Sequence, residues 1–344
     1  MVMIGIDAHK RSHTVVVVDE RGRQLAQRTT GTSSSDHFEL VAWAAKQDGE
    51  RLWAVEDCRH LSRRLERDLL AAGERILRVP PKLMANARAG ARSFGKSDPI
   101  DALAVARAAL RERDLPLARL DGPEREVRLL VDHREDLVQE RTRIISRLRW
   151  HLHELEPVAD GVPRSLTRVR NLDLLAKGLA GVDGTVARIA RELIERCRSL
   201  TIAVAQLERE ISQLIEKLAP ALLAICGCGP LTAAKILGET AGIERFKSPD
   251  AYARHNGTAP LPVWSSNRAR HRLSRTGNRQ LNAAIHRIAL TQAHWHPPAQ
   301  AMIARRRANG DGGLEALRVL KRRLSDVVYR ALRADLTATI AEAS

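Results

Sequence analysis

Aromatic residues make up only 3% of this 344-residue chain, with two tyrosines and three phenylalanines, which argues against binding single-stranded bases on rows of stacked rings. Cysteine is almost as scarce. Cys58 and Cys197 stand alone, and Cys226 and Cys228 are too close for a C-x-x-C zinc pair, so all four read as small hydrophobes in a reducing compartment. No apolar run approaches the length of a membrane-spanning helix. Met1-Val2-Met3-Ile4 passes directly to Asp7, His9 and Lys10, unlike a signal peptide. The expectation is a soluble cytoplasmic chain with no membrane partner. Acid is also in short supply: 57 Lys and Arg face 41 Asp and Glu, a formal net charge of +16, and such a field attracts polyanions. The excess is uneven. From Trp264 to Arg333, 15 Lys and Arg stand against 3 Asp and Glu, a net of +12, so phosphate contact is expected in the C-terminal third.

The acids that are present fall in informative places. Asp7 ends a short apolar strand (Met3 to Asp7), and Glu56 ends a second one (Leu52 to Glu56). Asp98 and Asp101 open a helix expected from about Pro99 to Leu110, three apart and therefore on one face. Carboxylates converging from two strand ends and a helix start can hold two divalent cations around a phosphodiester. A plainer reading stands beside this, in which Asp98-Pro99 with Asp101 is only a capped helix start and Asp7 and Glu56 are ordinary strand-end acids. Between these acids the pattern reads as a meander of three strands (with His13 to Val18 and Gln24 to Thr30) and a helix from about Ser35. The strand of Glu56 follows, then a helix Leu61 to Ala72, a strand Ile76 to Val79 and the helix of Asp101. That is the order of an RNase H-like domain, assigned here to residues 1–115.

From 116 to 220 the pattern turns helical. Val186, Ala190, Leu193, Cys197, Leu200, Val204, Leu207, Ile211, Leu214 and Leu218 alternate steps of four and three, a heptad seam. It is expected to be a coiled-coil arm with some homo-oligomeric contact, or else to pack on the preceding helix of its own chain, with the segment Glu156 to Gly184 breaking the two. The third region, 221–344, opens with Ile225-Cys226-Gly227-Cys228-Gly229-Pro230 and Lys235 on the helix that follows. This resembles a helix-hairpin-helix, in which Gly227 and Gly229 would bring backbone N–H groups to a phosphate, or it is a plain tight turn. Beyond it, Ser265 and Ser266 precede a run containing Arg268, Arg270, Arg272, Arg275 and Arg279. Arginines of this kind hold phosphates, and the serines are phosphate ligands or a nucleophile.

Taken together, Gly5-Ile6-Asp7-Ala8-His9-Lys10, Glu56, Lys96-Ser97-Asp98-Pro99-Ile100-Asp101-Ala102 and the run from Gly257 through Gln280 resemble the DEDD transposases of insertion-sequence family 110, over nearly the whole chain. The resemblance implies a RuvC-like N-terminal domain, a coiled-coil linker and a C-terminal transposase domain. It implies Asp7, Glu56, Asp98 and Asp101 as ligands of Mg²⁺, two ions being expected, and a serine that attacks DNA. Five residues past Pro260, that serine is Ser265. The family usually has glycine directly after it, whereas Ser266 and Asn267 stand here, so Ser266 remains an alternative. The implied partners are donor and target double-stranded DNA, a structured bridge RNA, and further copies of the chain as a dimer or tetramer. Two other functions fit the residues: a RuvC-like junction endonuclease using water, and a non-catalytic nucleic-acid-binding protein.

Overall fold

The computed structural model describes residues 1–343 except 57–60, 80–82, 84–96, 113–114, 116, 119–121, 156–161, 266–267 and 273–276, with backbone only for 261–265, 268–272 and 342–343. The chain divides into two compact units, residues 1–121 and 122–344.

The first unit is built on a five-stranded mixed sheet in the order β3-β2-β1-β4-β5. Strands β1 (Val2–Ala8), β2 (His13–Val18) and β3 (Gln24–Thr30) form an antiparallel meander. Strands β4 (Arg51–Glu56) and β5 (Ile76–Val79) add parallel on the other side of β1. Alternation sends side chains to two faces. Ile4, Ile6, Val15, Val17, Trp53 and Val55 pack under helices α1 (Ser34–Ala45) and α2 (Arg63–Ala71). Met3, Val16, Val18 and Ala54 pack under helix α3 (Asp98–Arg111). The order and connections are those expected of an RNase H-like domain. Helix α1 starts at a capping box: the Ser33 hydroxyl accepts from the Asp36 backbone N–H, and the Asp36 carboxylate accepts from that of Ser33.

Helix α3 lies unusually close to β1, because a Cβ at Gly5 would come within 2.2 Å of the Ala102 carbonyl oxygen and 2.6 Å of the Ala106 nitrogen. Only glycine admits that approach. The helix caps differently from expectation: Ser97 is the N-cap residue and Asp98 already lies in the first turn.

Among its described residues the second unit is helical apart from loops and one hairpin. Helix α4 (Pro123–Glu154) packs along helix α6 (Thr185–Leu218). Arg134 pairs with Glu208, and Arg196 with Glu140, so the two run antiparallel. The seam buries Ala190, Cys197, Leu200, Val204 and Ile211 within this one chain. The stretch between them is not purely a break, for it carries helix α5 (Val169–Gly178), whose Leu172 and Leu175 seal the same core. Short helix α7 (Pro220–Leu223) leads into α8 (Pro230–Thr240), and α9 (Pro249–His255) follows. After the hairpin β6 (Leu261–Ser265) and β7 (Arg268–Arg272) come α10 (Arg279–Trp295), α11 (Pro297–Ala308) and α12 (Gly313–Ala343). These helices share one core with Ile211, Tyr252, Ile285 and Val328 at its centre. Among the described residues no helix is long and apolar enough to cross a membrane.

Candidate active site

Parallel pairing runs up to Ile6↔Val55, which leaves Asp7 and Glu56 as the next residues of adjacent strands. By alternation both belong to the face covered by α3. The close approach at Gly5 brings the first turn of that helix over the same strand ends. There Asp101 is buried and Asp98 exposed.

His9, two residues past Asp7, completes the arrangement. Its Nε2 lies 3.0 Å from Asp7 Oδ2 and 3.5 Å from Asp98 Oδ1. These three atoms all lie within 4.8 Å of one another. Burial raises the Asp7 carboxyl above its ordinary range, His9 draws it back down, and the charges of Asp101 and Asp98 push it up. Asp7, a buried acid facing two further carboxylates at a strand end, belongs to a donor set suited to a divalent cation, whose charge offsets their repulsion.

The serine candidates lie in the second unit. Ser265 ends β6 opposite Arg268 in the hairpin. Arg270 and Arg272 follow on β7, while Ser266 and Arg275 lie outside the described residues. The base of the hairpin is tightly built. A Cβ at Gly277 would come within 2.3 Å of the Gly257 nitrogen, so the entering and leaving backbones touch. Asn278 N–H donates to the His255 carbonyl at 2.6 Å. Asn278 Nδ2 donates to Glu239 at 2.7 Å, Asn282 Nδ2 to the Asn256 carbonyl at 2.9 Å, and Lys321 Nζ to Asn282 Oδ1 at 2.6 Å. A partly buried network of this kind fixes where the hairpin leaves the helical body.

Two residues expected to meet phosphate do something else. Lys235 is 3% exposed, and its Nζ pairs with Glu135 at 2.9 Å and Asp132 at 3.3 Å on α4. A buried ammonium neutralised by two carboxylates ties α8 to α4 and is withdrawn from the nucleic-acid set. Gly227 sits against α10, where a Cβ would come within 2.9 Å of Thr291 Cβ, and Gln292 donates to the neighbouring Cys226 carbonyl at 2.8 Å. The glycine turn therefore serves helix packing on that side. Gly229 caps α8 with open space around its Cα. Arg279 is exposed at the start of α10, as are Arg287, Arg305, Arg307, Arg323 and Arg333 further on.

The DEDD transposase model of IS110 matches residues 4–157, and the model described as "Transposase IS116/IS110/IS902 family" matches residues 219–304. The chain belongs to this transposase family. It is 26% identical to the 44.8 kDa protein of insertion element IS116 from Streptomyces clavuligerus, over 96% of this chain and 94% of that one. It is 27% identical to the 42 kDa protein of IS900 from Mycobacterium paratuberculosis, over 96% of both. Among solved structures, Thermus thermophilus RuvC aligns at 18% identity over 34% of this chain and all of its own, with a TM-score of 0.29. That score is low, and the strand order of the first unit is what carries the RNase H-like fold.

Proposed function

We propose that this chain cuts and rejoins DNA strands by serine attack, with Asp7, Glu56, Asp98 and Asp101 holding divalent metal, two Mg²⁺ ions, and with a structured RNA of its element as guide. The observation that supports this most is the placement of Asp7 and Glu56 on adjacent strand ends with the helix start of Asp98 and Asp101 brought over them at Gly5. Bound Mg²⁺ would ease ionisation of the attacking hydroxyl and offset the charge that builds on the phosphate oxygens.

The protein's own groups supply the rest. Ser265 Oγ attacks phosphorus, so that an O–P bond to the protein forms as the O–P bond to the neighbouring sugar breaks. The seryl proton passes to a base or solvent, and the departing sugar oxygen takes one up. Exposed arginines, Arg279 among them, hold the flanking phosphates. Attack by a sugar hydroxyl of the new strand reverses the exchange, one phosphoester for another, so rejoining needs no ATP.

Trapping decides the matter. With Mg²⁺, element DNA and the RNA that copurifies with the protein, a DNA strand is expected to become covalently attached at Ser265. Ser265→Ala should abolish the adduct, while Ser266→Ala keeps it. Asp7→Ala, Glu56→Ala and Asp101→Ala should each remove cleavage and leave DNA binding intact. Free cleaved ends without an adduct would point to water as the nucleophile, as in a junction endonuclease. Wild-type cleavage in all three acid variants would overturn the metal-site assignment.

A further inference from the structure

We infer that His9 is itself a metal ligand, its Nε2 joining Asp7 and Asp98 to make a mixed nitrogen and oxygen site that prefers Mn²⁺ to Mg²⁺ more strongly than the four acids alone would. The inference rests on the proposed metal role of the acids and adds to it a donor of a different kind. Its basis is spacing. Two ligand atoms at right angles around a cation, each about 2.1 Å from it, are about 3.0 Å apart. His9 Nε2 stands 3.0 Å from Asp7 Oδ2 and 3.5 Å from Asp98 Oδ1, so the ring nitrogen lies at ligand spacing from both oxygens.

The backbone holds it there. His9 N–H donates to the Ser12 carbonyl at 3.1 Å, which closes the turn between β1 and β2 and places His9 at the strand end. Its side chain is about half exposed, 48%, so a cation can reach the nitrogen from solvent. Imidazole is a poor partner for Mg²⁺, which takes oxygen almost exclusively, and a better one for later divalent metals, whereas carboxylates serve both. A nitrogen in this position therefore shifts selectivity.

The test uses the full-length protein and Mn²⁺ as a paramagnetic probe, with no turnover required. Pulsed electron paramagnetic resonance of the Mn²⁺-loaded protein should show coupling to one imidazole nitrogen. That coupling should vanish in His9→Ala and in His9→Gln, the latter keeping a hydrogen-bonding group without a ring nitrogen. Mn²⁺ affinity should fall about tenfold in both, with Mg²⁺ affinity, read by competition, falling less. Nitrogen coupling absent from the wild type, or persisting in both variants, would overturn the inference. Asp7→Ala separates the two levels. If Asp7→Ala loses Mn²⁺ but the wild type shows no nitrogen coupling, the acid site stands and His9 only orients carboxylates. If the wild type binds no Mn²⁺ at the site, or Asp7→Ala binds it equally, the acid-site reading fails as well.

Discussion

His13 shows what a single buried ring does to the stability of the first unit. It is 2% exposed, packed against the ring of His37 at 5.2 Å between centroids, and Nδ1 of His37 meets Asp68 Oδ2 at 2.8 Å. Burial, with the nearby His37 and His9, lowers the His13 pKa to about 4 from an ordinary 6.5, and Asp36 opposes the shift. The unfolded chain therefore takes up a proton near pH 6.5, which the folded chain accepts only near 4. Stability from this residue is complete above 6.5 and drains away as pH falls across that window, by about 3 kcal/mol. Urea midpoints measured from pH 7 to 4 should fall more steeply for the wild type than for His13→Leu, and parallel curves would refute the assignment.

At the scale of elements, the contact between β1 and α3 carries the acid site. Gly5→Ala should force the helix away from the strand at the Ala102 and Ala106 backbone, costing about 1–3 kcal/mol as overpacking does and displacing Asp98 and Asp101 with it. Melting temperature and DNA cleavage should drop together, while Gly49→Ala, with open space around its Cα, leaves both unchanged. An unaltered cleavage rate in a destabilised Gly5→Ala would separate the helix from the chemistry. Much of this element was readable beforehand, because period-two alternation and a Ser-Asp-Pro helix start are local signals. The pairing of Lys235 with Asp132 and Glu135 was not, since about a hundred residues separate the partners and a lysine after a glycine turn looks the same whether it faces solvent or a carboxylate. His9 is silent in the sequence for a related reason: a strand-end histidine gains meaning only when a distant helix delivers Asp98 to it. The seam of α6 was legible as a seam, but periodicity does not say which helix covers it. In the structure α4 does, antiparallel and from the same chain. Helix α5 is hard to read from sequence because Gly and Pro on either side mask a ten-residue amphipathic stretch.

For the molecule as a whole, charge is the governing quantity. Neutralising six or more phosphates releases as many counterions, so DNA affinity should fall by roughly a thousandfold between 50 and 200 mM salt. A salt titration of filter binding or anisotropy would show it, and a flat response would place the interface away from the exposed arginines of the C-terminal helices. The direction of that field follows from composition, since the net charge of +16 resides largely beyond Trp264. Helical packing decides which cations contribute to it. Lys235 is cancelled in the interior, and Arg322 is tied to Asp250 and Asp326, whereas Arg279, Arg287 and Arg305 remain on the surface.

The touching backbones of Gly257 and Gly277 make the stretch between them a cassette. A segment that departs and returns at a single point can be exchanged without asking the rest of the chain to move its ends, much as a tool is changed in a fixed chuck. Bridging the two glycines with a short Gly-Ser link should leave the helical unit folded, with the Asn256 to Ser325 bond of 2.8 Å and the Asn278 to Glu239 bond intact. Grafting the corresponding stretch of a relative should transfer that relative's cleavage behaviour. Divergence of this segment can thus proceed on an unchanged helical frame, and circular dichroism of the bridged variant is the first measurement to show whether the frame stands alone.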